Sequence, residues 1–338
     1  MPVVNQEQYL QMLDQAKNGG FAYPAINVSS SQTLNAALEG FERAGSNGII
    51  QVSTGGADYW SGANKKNRVQ GAVAFAAFAK EAAQSYGINV AIHTDHCAKD
   101  QLDGFVLPLL SLSEEQVKVT GEPIFNSHMW DGSAIDLDEN LEIATDLLAK
   151  AKKVGSILEI EVGAVGGEED GVVGASGEHL YTTVEDGVKT VEALGLGENG
   201  RYMTALTFGN VHGVYKPGNV VLKPELLNEI QTAIGEKYGK KMPFDLVFHG
   251  GSGSSEKEIA DAVSFGVIKM NIDTDTQYAF TRPVADHMLK NYDGVLKIDG
   301  EVGNKKTYDP RSWGKAAESG MADRVVEACE QLGSAGKA

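Results

Sequence analysis

Two histidines and an aspartate stand at the end of an apolar segment in the first third of the chain. The segment reads Asn89-Val90-Ala91-Ile92-His93-Thr94-Asp95-His96-Cys97. If residues 90–94 form a strand, alternation places His93 and Asp95 on one face and His96 on the other. Asp95 and His96 can therefore act at one site only if the strand has ended and the chain is turning, as it does at the C-terminal end of a strand in an α/β barrel. The alternative is a buried histidine tethered by a neighbouring aspartate.

Histidines also follow two later strand-like segments. His96, His212 and His249 each come after a different predicted strand. Any one of them alone is more often a core or loop histidine whose hydrogen bonds are satisfied. At equivalent strand ends of a barrel the three would converge on one mouth, in the arrangement of a three-histidine zinc site that keeps a fourth position open.

Short strand-like runs alternate with helical patterns along the chain, which is typical of parallel strands joined by helices. The eight strand-like runs are residues 23–28, 48–53, 90–94, 124–127, 157–162, 202–207, 244–249 and 267–272. Helical patterns lie at residues 33–44, 73–86, 141–154, 224–238 and 255–265, where Ser255 and Glu258 have the spacing of a capping box. Eight units favour closure into a (β/α)8 TIM barrel, and a doubly wound open sheet remains compatible with the count.

The chain continues beyond the eighth strand. Residues 274–292 have a helical pattern, residues 293–309 read as a loop, and residues 310–332 read as a closing helix. Residues 333–338 are predicted to fray. We therefore expect one barrel domain over residues 1–338, with residues 292–338 as a C-terminal helical extension.

Bulk composition limits the classes of function. The 338 residues carry a formal net charge of −17, which argues against binding to nucleic acid or to anionic membranes. Cys97 and Cys329 are the only cysteines, too far apart in sequence for a zinc module or a disulfide framework. The N-terminal residues do not resemble a signal peptide, and no apolar run is long enough to span a membrane. These features predict a cytoplasmic protein in which an anionic substrate is held by a local basic or backbone N–H site.

Two glycine-rich segments stand near the predicted strand ends. Residues 163–177 contain six glycines and the pair Glu168-Glu169, which is too long for an ordinary βα turn and indicates a mobile catalytic loop or a solvated acidic loop. Gly250, Gly251 and Gly253 would let backbone N–H groups approach an anion, in a part of the barrel that commonly binds phosphate.

Together these motifs closely resemble those of the class II, zinc-dependent fructose-1,6-bisphosphate aldolases, in the subgroup with a longer C-terminal region. The resemblance covers essentially the whole chain. It is carried by the segments at residues 93–97, 158–161, 166–171, 209–219, 248–254, 271–277 and 308–311. The resemblance implies reversible cleavage of fructose 1,6-bisphosphate to dihydroxyacetone phosphate and glyceraldehyde 3-phosphate, in glycolysis and gluconeogenesis.

The resemblance also implies the metal chemistry. Breaking a carbon–carbon bond beta to a carbonyl leaves an enediolate, whose charge is held by a lysine Schiff base or by a metal. The implied ligands of the catalytic zinc are His96, His212 and His249. Asp95 would transfer the C4 hydroxyl proton, and Glu169 would move the carbon-bound proton of the three-carbon ketone. A second, non-catalytic divalent ion is implied at Asp131, Glu161 and Glu168.

The remaining implied positions bind the substrate. The dihydroxyacetone phosphate half is assigned to Gly213, Gly250, Gly251, Ser252, Asn271, Asp273 and Thr274. A monovalent cation, K⁺ or Na⁺, is implied beside Val211, Gly213, Gly250 and Ser252. The other end of the substrate is assigned to Asn27, Ser53, Lys305 and Arg311. Because the arginine would come from the neighbouring subunit, the resemblance implies a homodimer or a dimer of dimers.

Two other enzyme classes share part of this pattern. A tagatose-bisphosphate aldolase shares the zinc chemistry and differs in the configuration of one substrate carbon, and the intact segment at residues 305–311 favours fructose. The second alternative, a barrel metallohydrolase, belongs to a different class of enzyme. It is disfavoured because the first strand has no His-x-His pair and no residue resembles a carboxylated bridging lysine.

Strand parity gives a prediction that is independent of the family. Glu159 and Glu161 share one face of the fifth strand, and Lys269 lies on the polar face of the eighth. Because the apolar faces should meet the helices, these charged residues should point into the barrel. An isolated interior charge is costly. We therefore expect Glu159 or Glu161 to approach Lys269 below the metal site.

Overall fold

The computed structural model describes residues 3–163, 166–169, 172–173, 181–212, 221–298 and 302–338, without the side chains of residues 166–169, 172–173 and 212. Eight parallel strands close into a barrel, which confirms the predicted TIM-barrel class. The barrel strands are β1 (Tyr23–Asn27), β2 (Gly48–Val52), β3 (Val90–Thr94), β4 (Ser127–Trp130), β5 (Ile157–Val162), β8 (Tyr202–Leu206), β10 (Leu246–Phe248) and β11 (Val267–Ile272). They follow one another around the barrel in chain order, and β11 pairs with β1 to close it.

A small second sheet lies in the segments that follow β5 and β8. It consists of β6 (Gly166–Glu169), β7 (Val172–Val173) and β9 (Val211–His212), in the order β7-β6-β9. β6 pairs parallel with β9, so that Gly167 lies opposite His212 along the backbone. The segments that carry Glu168, Glu169 and His212 therefore meet beyond the C-terminal ends of two barrel strands.

Helices surround the barrel. In the first half of the chain they are α1 (Gln6–Gly19), α2 (Ser31–Ala44), α3 (Thr54–Trp60), α4 (Arg68–Ala82), α5 (Val106–Thr120) and α6 (Leu137–Val154), with 3₁₀ turns at Ala83–Ser85 and Lys99–Gly104. In the second half they are α7 (Val184–Leu194), α8 (Glu225–Tyr238), α9 (Glu256–Ser264), α10 (Thr274–Lys290), α11 (Tyr292–Leu296), α12 (Lys305–Tyr308) and α13 (Pro310–Gln331). The predicted capping box is confirmed, since the Ser255 side chain caps α9 and Glu258 returns the bond. No described helix combines the length and the apolar character needed to cross a membrane.

The buried apolar residues form two clusters, one on each side of the barrel wall. The larger cluster lies between the strands and the helices and includes Ile92, Leu158 and Met270. The smaller one fills the lower barrel interior, where Ala25 packs with Tyr9 of α1. Because alternate strand residues face opposite sides of the wall, the interior above this plug is left to polar and charged side chains.

The C-terminal segment differs from the prediction in two places. Residues 293–309 are not a simple loop, because α12 and most of α11 lie within them. The predicted fraying of residues 333–338 is also wrong. The amide of Gly336 bonds the Ala44 carbonyl, the amide of Ala338 bonds the Gly45 carbonyl, and Ser334 is fully buried. Close packing of α13 on α2 makes this possible, since a Cβ atom at Gly40 would lie 2.5 Å from the Cβ atom of Val325.

Candidate metal and catalytic site

The chain turns directly after β3. The sequence analysis requires this turn if Asp95 and His96 are to act at one site. β3 ends at Thr94, and the Asp95 amide still bonds the Val52 carbonyl of β2 at 2.9 Å. His96 then has a φ of 21°, a conformation that non-glycine residues rarely adopt. This turn breaks the alternation of faces and brings the two side chains to the same mouth of the barrel.

His96 and His249 approach each other closely at this mouth. The Nε2 atom of His96 lies 2.9 Å from the Nδ1 atom of His249, with the rings edge to face. The other nitrogen of each ring donates to a carboxylate. His96 Nδ1 bonds Asp131 at 3.0 Å, and His249 Nε2 bonds Glu159 at 2.7 Å. With those protons on the outer nitrogens, the two inner nitrogens turn lone pairs toward each other, which a cation between them would satisfy.

Glu161 completes a group of possible metal ligands. Among the described residues, three possible ligand atoms lie within 4.8 Å of one another, one each from His96, Glu161 and His249. Two imidazoles and a carboxylate form a donor set that catalytic zinc accepts. The residues present therefore fit a zinc ion.

Asp131 follows β4, and both its backbone and its side chain are fixed by hydrogen bonds. Its amide bonds the Cys97 carbonyl, and its Oδ1 atom accepts hydrogen bonds from the amide and hydroxyl of Ser133. Burial raises the pKa of Asp131, but the contacts with His96 and Ser133 outweigh burial and hold the pKa well below its usual range. Asp131 is therefore an ionised partner that fixes the ring of His96.

Asp95 is buried and receives one amide donor on each carboxylate oxygen. The side chain of Asn27 donates to Oδ2 and that of Asn271 donates to Oδ1, both at 2.9 Å. Burial raises the pKa of Asp95, while His96, Lys269 and His249 lower it by more, so that the net shift is downward. The carboxylate is therefore ionised and fixed in orientation, as a proton acceptor needs to be.

A charged layer lies directly below these groups. The Lys269 ammonium lies 2.8 Å from Glu159 Oε2, with both side chains fully buried, which confirms the predicted pairing and selects Glu159 as the partner. His93 lies in the same layer, with Nδ1 at 2.7 Å from the Ser127 hydroxyl and Nε2 at 3.5 Å from Glu159. Sequence reasoning did not predict the contact of Glu159 with His249. Strand alternation predicts that the Glu159 side chain points into the barrel. It does not predict which histidine Glu159 contacts, because that depends on how far the strands are staggered.

A cavity of about 580 Å³ opens beside Asn27, and it brings several predicted substrate-binding residues together. Ser53 and Asp273 line it, together with Gln277 and Trp313. Gly251 follows β10 close by in the chain, and a Cβ atom there would lie 2.2 Å from Met270 Cε, so that a larger residue would require the end of the Met270 side chain to move. Gly250 has a φ of 60°, which also favours glycine.

Lys305 and Arg311 lie apart from this cavity in the described chain. Neither residue lines it. The Arg311 guanidinium is 83% exposed and pairs with Asp309 of its own chain at 2.6 Å. Ser252 and Thr274 follow β10 and β11, Ser252 in the loop and Thr274 as the first residue of α10. The side chains of His212, Glu168 and Glu169, all of Gly213, and most of the predicted loop at residues 163–177 lie outside the description of the structure.

Comparison with known proteins identifies the family of the chain. Residues 7–337 match the family model described as fructose-bisphosphate aldolase class-II. The chain is 64% identical to a fructose-bisphosphate aldolase of Streptomyces coelicolor and 62% identical to one of Corynebacterium glutamicum, with 100% of this chain and 99% of each relative covered. A crystal structure of the Campylobacter jejuni fructose-bisphosphate aldolase superposes with a TM-score of 0.88 at 40% identity, covering 99% of this chain and 97% of that one. The chain belongs to the class II fructose-bisphosphate aldolases.

Proposed function

We propose that the chain catalyses the reversible cleavage of fructose 1,6-bisphosphate to dihydroxyacetone phosphate and glyceraldehyde 3-phosphate. The observation that carries the proposal is the meeting, at one mouth of the barrel, of the ionised Asp95 with the facing ring nitrogens of His96 and His249. Family membership over residues 7–337 supports the same reaction. The reaction belongs to glycolysis and gluconeogenesis, and we propose a cytoplasmic location for the enzyme.

The catalytic zinc would be held by His96, His212 and His249. The donor set around His96 and His249 supports this assignment, and β9 brings the backbone of His212 beside β6. When bound, zinc supplies a Lewis acid for the negative charge left on the three-carbon fragment. A second divalent ion would use Asp131, Glu161 and Glu168. The nearness of Glu161 to the two histidines supports a carboxylate contribution on this side.

Asp95 would take the proton from the C4 hydroxyl during cleavage and return it to the aldehyde oxygen during condensation. Its ionised state and the two amide donors that fix its oxygens support this role. Glu169 would move the carbon-bound proton of the ketone and close the loop over the substrate, which excludes water.

The dihydroxyacetone phosphate half would be held by Gly213, Gly250, Gly251, Ser252, Asn271, Asp273 and Thr274. The left-handed backbone of Gly250, which favours glycine, supports a site at which backbone N–H groups approach an anion. A K⁺ or Na⁺ ion would lie beside Val211, Gly213, Gly250 and Ser252, where it would offset phosphate charge in an acidic protein.

The other end of the substrate would meet Asn27, Ser53, Lys305 and Arg311. Asn27 and Ser53 already line one cavity. Arg311 does not line it and is exposed, which suits an arginine that reaches the site of a neighbouring subunit and binds phosphate with two hydrogen bonds. We therefore propose a homodimer, or a dimer of dimers, as the active assembly.

The test is a coupled assay of cleavage before and after removal of metal by a chelator, followed by addition of zinc. We expect activity with fructose 1,6-bisphosphate to be lost on chelation and restored by zinc. The same assay with tagatose 1,6-bisphosphate separates the two aldolase classes. Activity that survives full chelation, or a covalent adduct trapped by borohydride, would contradict the metal mechanism.

A further inference from the structure

Lys269 is a buried cation that contacts two different groups of the site. Its Nζ atom lies 2.8 Å from Glu159 Oε2 and donates a hydrogen bond to Asn271 Oδ1 at 2.6 Å. The Lys269 side chain is fully buried inside the barrel, so its charge is held by these neighbours and not by bulk water.

The first branch from Lys269 leads to the metal ligands. Glu159 accepts the Nε2 proton of His249 on its other oxygen at 2.7 Å. A proton fixed on Nε2 leaves Nδ1 as the nitrogen with a lone pair, and this atom is the one that faces His96. Lys269 thus holds in place the Glu159 carboxylate, which determines the nitrogen of His249 that can bind a metal.

The second branch leads to Asp95. Asn271 can present either its oxygen or its amide nitrogen in a given direction, and the two orientations have almost the same shape. Because Lys269 donates to the oxygen, the amide nitrogen must point the other way, where it donates to Asp95 Oδ1 at 2.9 Å. A rotated Asn271 would place its oxygen against the Asp95 carboxylate, which is repulsive.

We propose that Lys269 is a positioning residue that holds the metal ligand His249 and the carboxylate of Asp95 in register with each other. The proposal rests on the proposed function and deepens it, since it assigns a role to a residue that does not contact the reacting atoms. Without the ammonium, the buried Glu159 carboxylate loses its counter-charge and Asn271 loses the donor that sets its orientation. The ring of His249 and the Oδ1 atom of Asp95 would both lose their fixed positions.

The experiment compares Lys269→Met, which keeps most of the length of the side chain without its charge, with the control Arg201→Met. Arg201 pairs with Asp245 at 2.8 Å just before β8 begins, at the opposite end of the barrel. The zinc dissociation constant is measured by competition with a chelator, and kcat and KM are measured at saturating zinc. We expect Lys269→Met to weaken zinc binding by about 10–100-fold and to lower kcat by a similar factor with a smaller change in KM. Arg201→Met should keep the zinc affinity and kcat of the natural chain.

A double variant separates positioning from folding. Lys269→Met with Glu159→Gln removes both buried charges, so it should unfold at a urea concentration closer to that of the natural protein than Lys269→Met alone. If Lys269 is a positioning residue, zinc affinity stays low in the double variant although stability is regained. Natural zinc affinity and kcat in Lys269→Met, or natural zinc affinity in the double variant, would overturn the proposal. Zinc affinity decides the matter even if the natural chain does not cleave fructose 1,6-bisphosphate, which would refute only the proposed function.

Discussion

The ammonium of Lys269 and the carboxylate of Glu159 form an ion pair inside the barrel, with 2.8 Å between Nζ and Oε2 and neither side chain exposed. The two residues lie on β11 and β5, which are separated in the barrel by β8 and β10. The pair therefore spans the interior and does not join neighbours along one ladder. Its position above the apolar plug and below His249 makes it the link between the barrel core and the site.

Loss of one member of this pair should be strongly destabilising. We expect Lys269→Met to lower the free energy of unfolding by about 3–5 kcal/mol, because the Glu159 carboxylate would remain buried without a counter-charge. Urea unfolding measures the change. Lys257→Met is the matched control, since Lys257 pairs with Asp261 on the surface of α9, and it should not measurably change stability. Equal stability of the natural chain and Lys269→Met would show that Glu159 finds another partner.

Much of the fold follows from hydrophobic patterning. The predicted strands at residues 90–94, 157–162 and 267–272 have the bounds of β3, β5 and β11. The fourth strand was placed three residues too early, at 124–127 instead of Ser127–Trp130. Ser127 and His128 look too polar for a buried strand, but their side chains contact His93 and Thr94 in the neighbouring strand. Single-sequence patterns do not reveal such cross-strand pairs, because the partner is more than thirty positions away.

In the candidate site, too, the sequence predicts the position of a residue along its strand but not the distant residue that it contacts. Position at a strand end identified Asp95, His96 and His249, because carboxyl ends of parallel strands share one mouth. The sequence does not specify that Asp131 contacts His96 while Glu159 contacts His249. Those pairings depend on the stagger of the strands, which closure of the barrel determines.

Asp95→Ala tests the acid and base role. We expect turnover to fall by on the order of 10²–10⁴-fold, because proton transfer to and from the substrate hydroxyl is lost. Zinc content should be unchanged, since Asp95 hydrogen-bonds Asn27 and Asn271 and is not one of the three grouped metal-ligand candidates. Steady-state kinetics and metal analysis of the same sample give both quantities. A zinc-free variant would instead indicate that Asp95 holds a metal ligand in place.

Glu169→Ala tests the second proton transfer. We expect exchange of the carbon-bound proton of dihydroxyacetone phosphate with solvent to slow together with overall turnover, because no other base is assigned to that carbon. Isotope exchange followed by NMR measures the first rate, and the coupled assay measures the second. Zinc content and unfolding in urea serve as controls. Exchange at the natural rate would remove Glu169 from the mechanism.

Both cysteines should be inert in the folded protein. Burial raises the pKa of the Cys97 thiol to about 12 and that of Cys329 to about 11, and both side chains are fully buried. Since the thiolate is the reactive form, a thiol reagent at pH 8 should label neither residue before unfolding and both afterwards. Rapid labelling of one thiol in the native protein would contradict the packing of α13 or of the segment after β3.

The buried His128 should make stability fall in mild acid. Its Nδ1 atom lies 2.8 Å from the Thr94 hydroxyl, and burial lowers the pKa of the ring to about 3 from the ordinary value of 6.5. The unfolded chain binds a proton at this residue below pH 6.5 while the folded chain does not. The stabilising contribution is therefore complete above pH 6.5 and is lost as the pH falls toward 3.

Between pH 7 and pH 5 this linkage should cost about 2 kcal/mol of unfolding free energy from His128. The measurement is urea unfolding at both pH values for the natural chain and for His128→Asn, which keeps a polar atom for Thr94 but does not titrate. The variant will be less stable at pH 7 because the smaller side chain leaves a gap, so the informative quantity is the change between the two pH values. That change should be smaller in the variant by about 2 kcal/mol, and His93, whose pKa burial also holds well below 6.5, should retain its own share in both proteins. An equal loss in both proteins would mean that the folded state protonates His128 near its ordinary pKa, which requires water to reach the layer between the barrel and its helices.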